Sequence, residues 1–187
     1  EKILKPIIII DGFDPGDKRQ VLPCDYEPFK YRAGVDRSIS EMMMYGDDKE
    51  KDLIKELQNK GYDVIIVNQP TYYIMTTPPY QKVEKGTLGS KEIDGGGDYI
   101  ERNGLNLVTL IKKINTELAT NGSTEKLVIV GPSMGGQISR YALAYMEKNN
   151  IPHNTRLWVS VDSPHLGANI PLGAQEEISL LKGDNNE

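Results

Sequence analysis

The serine at the centre of Gly131-Pro-Ser133-Met-Gly135 is the residue of this chain that is best placed to do chemistry. The pentapeptide fits the pattern G-x-S-x-G, follows a run of apolar, mostly β-branched residues and precedes an amphipathic stretch. A strand, a tight turn with a central Ser and a helix form the context of a nucleophile elbow. G-x-S-x-G also occurs by chance in many proteins, but the flanking elements favour the elbow. The sequence therefore predicts that Ser133 is a catalytic nucleophile.

A serine hydroxyl is a weak nucleophile at neutral pH, so it needs a base, usually His, that an acid holds in place. The chain has two histidines, His153 and His165. His153 follows the helix after Ser133, and about 15 helical residues separate the ends of that helix by about 22 Å. We therefore expect His153 to be a surface loop residue. The oxyanion of the reaction needs backbone donors, and one of them is the N–H of the residue after the nucleophile, Met134.

Four apolar runs predict the strands that position this serine. Continuous β-branched runs are typical of parallel strands that are buried on both faces, and here they cover residues 6–10, 63–67, 126–130 and 156–161. Helices are predicted between them over residues 47–60, 100–118 and 135–149. Strands that alternate with helices imply right-handed crossovers. The predicted fold is therefore a three-layer α/β sandwich with a mainly parallel sheet.

Apolar stripes at helical spacing support these three helices. The first helix should end at Gly61, since glycine commonly follows a helix. The residues expected to face inward are Leu53, Ile54 and Leu57 in the first helix, Leu107, Leu110, Ile111, Ile114 and Leu118 in the second, and Ile138, Tyr141, Ala142, Tyr145 and Met146 in the third.

Two long segments between these elements show no periodicity. Residues 11–46 are polar and broken by prolines, and residues 68–99 form an irregular insertion that is long for a plain connection. The carboxylates of Asp94 and Asp98 flank a glycine run without the ligand spacing of a calcium loop, so we interpret it as a flexible turn and predict no metal. The insertion could cover an acyl chain or pack on the sheet through its aromatic and proline residues, Tyr72, Tyr73, Pro78, Pro79 and Tyr80.

The composition limits the classes of protein to which this chain can belong. Its 187 residues suffice for one domain with a sizeable core. The net charge of −5 provides no basic patch for nucleic acid, and no apolar run approaches the ~18 residues of a membrane span. Cys24 is the only cysteine, which excludes an internal disulfide. We expect neither a cofactor nor a nucleic-acid partner.

Two further segments carry a resemblance to lipases and esterases of the α/β-hydrolase superfamily. Ile7-Ile-Ile-Ile-Asp-Gly-Phe13 resembles the strand and oxyanion loop of that superfamily, with Asp11 in place of the usual His. Ser163-Pro-His-Leu-Gly167 resembles the Thr-Pro-His-x-Gly segment of many lipases and of the inositol deacylases that trim lipid anchors. The resemblance covers about residues 6–170. It implies that the four strands correspond to the third through sixth of that fold, and that the N–H groups of Phe13 and Met134 bind the oxyanion.

The same resemblance bears on the acid and the base. In that superfamily the chain order is Ser, then acid, then His. The acid and the His usually lie beyond the next strands. Asp162 could be the acid, as in some lipases, or could cap a turn. His165 could be the base, but in similar lipases it shapes the edge of the site. We therefore expect residues 1–187 to be a single α/β-hydrolase domain or the N-terminal part of one, which would be inactive without the histidine of a C-terminal remainder.

The sequence thus favours a serine hydrolase that cleaves carboxylic esters. The resemblance implies a small-molecule or lipid ester substrate. Contact with a membrane surface is compatible with such a substrate. It also favours export, to the medium or the cell envelope, although no leader is visible. Two alternatives stay open: a non-catalytic hydrolase-fold module that binds a glycan, lipid or partner, and an acyltransferase that uses the same serine.

Overall fold

The computed structural model describes residues 2–16, 19, 21, 38–173 and 175. Its helices and strands alternate along much of the chain. In chain order they are β1 (Pro6–Ile10), α1 (Ile39–Met42), β2 (Met44–Tyr45), β3 (Lys51–Asp52), α2 (Leu53–Asn59), β4 (Asp63–Val67), β5 (Tyr72–Met75), β6 (Lys82–Val83), β7 (Ser90–Ile93), α3 (Ile100–Thr120), β8 (Leu127–Pro132), α4 (Met134–Lys148) and β9 (Thr155–Val161).

The main sheet has four parallel strands in the order β4-β1-β8-β9. In its register, Ile8 of β1 lies between Ile65 of β4 and Ile129 of β8. All four predicted strands are present, with ends that shift by two residues at most, and the predicted α/β class is confirmed.

The core lies between this sheet and the pair α3 and α4. Side chains alternate across a strand, so Ile8 and Ile10 of β1 join the core with α3 and α4, while Ile7 and Ile9 are buried on the opposite face. The predicted stripes of both helices are confirmed. Their buried members are Leu107, Ile111, Ile114, Leu118, Ile138, Ala142 and Met146, whereas Leu110, Tyr141 and Tyr145 are half-buried.

The strand order places a crevice at the carboxyl ends of β1 and β8. From β1 the chain moves through α2 to β4 on one side, and from β8 it moves through α4 to β9 on the other. Right-handed crossovers in opposite directions put these helices on opposite faces of the sheet. The connections that leave β1 and β8 therefore diverge, and such a switch point is where open α/β sheets bind ligands.

The helix predicted over residues 47–60 is shorter than expected. It begins at Leu53, and β2 and β3 form a hairpin before it. The cause is a local cap, because the side chain of Asp52 accepts a hydrogen bond from the N–H of Lys55 at 3.1 Å. Leu53 is 37% exposed, so the prediction that it faces inward is wrong, whereas Ile54 and Leu57 are half-buried. Gly61 follows the helix with a φ of +79°, as its role as a stop requires.

Residues 68–99 are not irregular. They contain a small antiparallel sheet in the order β6-β5-β7, followed by one 3-10 turn at Gly95–Gly97. The strands escaped prediction because they are short, and because Lys and Glu are depleted in most strands. Most of residues 11–46, Cys24 and the residues after 175 lie outside the described part of the chain. Among the described residues, no helix combines the length and apolarity needed to cross a membrane.

Candidate active site

Ser133 alone makes the turn between β8, which ends at Pro132, and α4, which begins at Met134. Its φ of 51° and ψ of −126° are unusual for a residue other than glycine, and such a conformation costs about 1–3 kcal/mol. The backbone N–H of Ser133 donates to the carbonyl of Val161 at 2.8 Å, which ties the turn to the end of β9. The Ser133 residue is exposed. The local geometry is thus a strand, a single strained serine and a helix.

Glycines on both sides of Ser133 allow close backbone contacts. A Cβ at Gly131 would lie 2.4 Å from the carbonyl oxygen of Gly135, and a Cβ at Gly135 would lie 2.6 Å from that of Ile10. Any larger residue would therefore force α4 away from β8 and β1. These glycines keep the turn sharp and hold it at the crevice.

The loop after β1 lies directly beside this serine. A Cβ at Gly12 would lie 3.2 Å from the Cβ of Ser133 and 3.7 Å from its Oγ. The N–H of Phe13 has no acceptor among the described residues. Met134 is the first residue of α4, so its N–H has no acceptor within the helix. Both N–H groups therefore have no acceptor among the described residues, which the predicted role as oxyanion donors requires.

Arg19, which the sequence did not single out, holds this loop together. Its Nε lies 3.2 Å from Asp11 Oδ2, and its Nη2 donates to the carbonyl of Phe13 at 2.7 Å. The N–H of Arg19 donates to Asp14 Oδ2 at 2.8 Å. No local pattern marks Arg19, since its partners come together only when the loop folds back. The side chain is a candidate for positioning the N–H of Phe13.

Asp11 stands where the lipases and esterases that the loop resembles usually have His. Its Oδ1 accepts the N–H of Gly12 at 2.8 Å, and the residue is only 4% exposed. Burial raises the pKa of its carboxyl above the ordinary value, and the Arg19 guanidinium and the Gly12 N–H oppose that rise. Asp11 therefore acts on the loop through hydrogen bonds and charge.

The glycine turn before α3 packs against the same loop. The N–H of Asp14 donates to the carbonyl of Gly96 at 3.1 Å, and the N–H of Gly16 donates to Asp94 Oδ2 at 2.8 Å. Asp98 instead pairs with Arg102 at 2.8 Å. The turn predicted as a flexible element is thus a buried support of the loop after β1. Within the described ranges, no three His, Cys, Asp or Glu side chains gather into a potential metal site.

The structure does not bring either histidine to Ser133. The Nε2 of His165 lies 2.7 Å from the Oγ of Ser160 instead, and its ring packs edge-on against Trp158. His153 is half-buried at the far end of α4, where its Nδ1 accepts the N–H of Thr155 at 3.0 Å. The described residues therefore hold no histidine in hydrogen-bond contact with Ser133.

The segment Ser163–Gly167 is docked on the elbow. The side-chain amide of Gln137 donates to the carbonyl of Pro164 at 3.0 Å, and the hydroxyl of Ser163 donates to that of Gly131 at 3.4 Å. Asp162 precedes this segment with a φ of 48° and is exposed. Asp162 directly follows Val161, whose carbonyl accepts the N–H of Ser133, so Asp162 lies at the same edge of the sheet as Ser133. It forms no hydrogen bond with a described side chain.

A family comparison matches the part of the chain that contains the elbow. Residues 95–179 match the model of a PGAP1-like alpha/beta domain. This is an alpha/beta hydrolase-like family. The matched segment runs from the glycine turn through α3, the elbow and α4 to the residues after β9, whereas the loop after β1 precedes it. No curated protein and no solved structure gives a significant match to the chain.

A cavity of about 780 Å³ lies between α3, near the start of the matched segment, and the small sheet. Tyr72 and Tyr80 line it, whereas Tyr73, Pro78 and Pro79 do not. Two of the five residues that could cover an acyl chain or pack on the sheet therefore lie in this wall. Ser133 is not part of the cavity wall.

Proposed function

We propose that this chain carries the nucleophile of a serine hydrolase that cleaves carboxylic esters, with lipid or acyl esters as substrates. One observation carries the proposal: an exposed serine in a strained strand-to-helix turn, beside a loop with a free backbone N–H, at the switch point of a parallel sheet. The strain at Ser133 supports a functional role, because such conformations cluster at active sites.

The chemistry follows from the two neighbouring chain segments. The Oγ of Ser133 attacks the ester carbonyl carbon as a base removes its proton, and the carbonyl oxygen gains the negative charge. The N–H groups of Phe13 and Met134 bind that oxyanion, each worth roughly 2.7–4 kcal/mol. The C–O bond then breaks, the base returns the proton to the leaving alcohol, and water releases the acyl group from Ser133 by the same route.

The reaction needs a base, and neither described histidine contacts Ser133. His165 is bound to Ser160, and His153 lies at the other end of α4. We propose that a histidine outside these 187 residues, in a C-terminal remainder of the same polypeptide, reaches Ser133. Asp162 is our candidate for the acid that orients this histidine, because Asp162 is exposed and lies at the same edge of the sheet as Ser133.

Exposed apolar side chains near the elbow support an acyl or lipid substrate. Phe13 of the loop after β1 is 56% exposed, and Leu166 of the docked segment is fully exposed. We propose that these residues meet the substrate at a lipid surface, which accords with an exported enzyme.

A non-catalytic binding module is the second candidate. The observation in its favour is that no described histidine contacts the nucleophile. In that case the elbow would serve as a scaffold, and replacement of Ser133 would leave ligand binding intact.

Ester hydrolysis by the full-length protein separates these candidates. Initial rates on p-nitrophenyl esters of increasing acyl length would be measured for the native protein, for Ser133→Ala and for Ser90→Ala, a matched control in β7. We expect hydrolysis by the native protein and the control, and a loss of at least 10³-fold for Ser133→Ala. Equal rates for all three proteins would contradict the proposal.

A further inference from the structure

The cavity between α3 and the small sheet has the size of a ligand site, and its wall differs from the group of residues proposed to act at Ser133. Its volume of about 780 Å³ lies within the roughly 300–1,000 Å³ of small-molecule sites. Ser133, Phe13 and Met134 do not line it. The chemical character of the cavity wall therefore has to indicate which ligand fits it.

The deep end of the cavity is apolar. Ile10, Leu107 and Ile138 line it and are all buried. Leu110 and Ile74 add half-buried apolar surface on the two facing walls. An alkyl chain is the kind of group that gains free energy by contact with such a floor, at about 0.8 kcal/mol for each methylene removed from water.

The outer rim of the cavity is cationic. Lys82 of β6 and Lys91 of β7 both pair with Ile74 of β5, so the three side chains share the face that lines the cavity. Two strand spacings separate the two lysine Cα atoms by roughly 10 Å. Both lysines are exposed, and neither forms an ion pair with a described residue. Arg102 adds a third cation, which Asp98 already holds at 2.8 Å.

The small sheet sorts charge between its two faces. Glu92 follows Lys91 directly and therefore points to the opposite face, where it accepts a hydrogen bond from the hydroxyl of Tyr73. Among the described residues, no carboxylate lines the cavity, although the whole chain carries a net charge of −5. Two rim lysines that have no ion-pair partner among the described residues favour an anionic ligand.

We propose that this cavity binds an anionic amphiphile. Its carboxylate or phosphate head group lies between Lys82 and Lys91, and its alkyl chain lies on the floor formed by Ile10, Leu107 and Ile138. The alkyl chain supplies most of the affinity, and the lysines select the charge of the head group. Binding requires no reaction at Ser133, so this site stands or falls separately from the proposed hydrolase.

Calorimetric titration of the full-length protein tests the proposal with three probes of equal chain length: laurate, dodecyl phosphate and dodecanol, each below its micellar concentration or its solubility limit. Lys82→Gln/Lys91→Gln removes both rim charges. Lys85→Gln is the matched control. Lys85 belongs to the same small-sheet region, but it contacts the ring of Tyr73 on the face of the sheet that points away from the cavity. Circular dichroism with each ligand checks that every protein remains folded.

We expect the native protein to bind at least one anionic probe at least tenfold more tightly than dodecanol. The double variant should lose that preference, whereas Lys85→Gln should keep it. Shortening the better anion from twelve to ten carbons should weaken binding about fourfold for each methylene that leaves the floor. The tighter of the two anions distinguishes a free fatty acid from a phosphate-bearing lipid. Equal affinity for dodecanol, an unchanged double variant or the absence of binding by all three probes would overturn the proposal.

Discussion

The Oγ of Ser160 lies 2.7 Å from the Nε2 of His165, and this contact ties the end of β9 to the segment docked on the elbow. The ring of Trp158 packs edge-on against the same histidine at 5.7 Å. The bond engages a ring nitrogen that a general base would use. It indicates that His165 supports the loop beside the elbow.

Replacing this histidine should therefore affect stability more than reactivity. We expect His165→Asn to lower the free energy of unfolding by about 1–3 kcal/mol, because the Ser160 hydroxyl loses its partner. Reaction of Ser133 in the full-length protein should change by less than tenfold. Urea denaturation and the rate of active-serine labelling measure the two effects. His153→Asn is the control, and a folded His165→Asn protein that had lost all labelling would assign the base to His165.

Gly12 is the position where one added methyl group should impair the site. In Gly12→Ala, the new Cβ would lie 3.2 Å from the Cβ of Ser133, a distance that forces one of the two segments to shift. We expect the hydrolysis rate to fall at least tenfold with little change in melting temperature. Gly173→Ala is the matched control, because no atom of the described residues lies within 4 Å of its added Cβ. Equal activity of both variants would show that the close packing of Gly12 against Ser133 is not critical.

Arg19 and Asp11 should behave as a coupled pair. Arg19→Gln leaves the buried carboxylate of Asp11 without its cation, which should cost about 3 kcal/mol of stability. In the double variant Arg19→Gln/Asp11→Asn, most of that loss should be recovered, because no unpaired charge remains. Urea denaturation of the four proteins in the cycle measures the coupling, with Arg140→Gln as a control on the exposed side of α4. Simple addition of the two single effects would show that the pair is not coupled.

The raised pKa of Asp11 predicts a dependence of stability on pH. Because the folded state holds this proton more tightly than the unfolded state, the protonated carboxyl favours folding at low pH. That contribution is lost as the pH rises through the raised pKa in the folded state. Asn mimics the neutral form at every pH, so the stability of Asp11→Asn relative to the native protein should increase from pH 4 to pH 7. Denaturation curves at both pH values measure it, and a constant difference would contradict the shift.

Much of the fold could be predicted because its central elements carry strong local signals. The run Pro6–Ile10 is apolar throughout and is buried on both faces, and α3 and α4 show unbroken apolar stripes. The elbow could be located from Ser133 because a strand and a helix flank it. These features depend on residues that lie close together in the chain.

The features that escaped prediction depend on long-range contacts. The strand Ser90–Ile93 exists because Tyr72–Met75 pairs with it, and its own residues do not favour a strand. Arg19 gains its role only when the loop after β1 folds back onto it. Likewise, the bond between Ser160 and His165 could not be inferred from a motif that resembles those of lipases.

Labelling with a fluorophosphonate probe tests most directly whether Ser133 is a nucleophile. The full-length protein would react with the probe, and peptide mass spectrometry would locate the label. Ser133→Ala and Ser160→Ala are the paired variants. We predict a label on Ser133 that is absent from Ser133→Ala, present in Ser160→Ala and weak in the isolated 187-residue chain. A folded full-length protein without label on Ser133 would contradict the account.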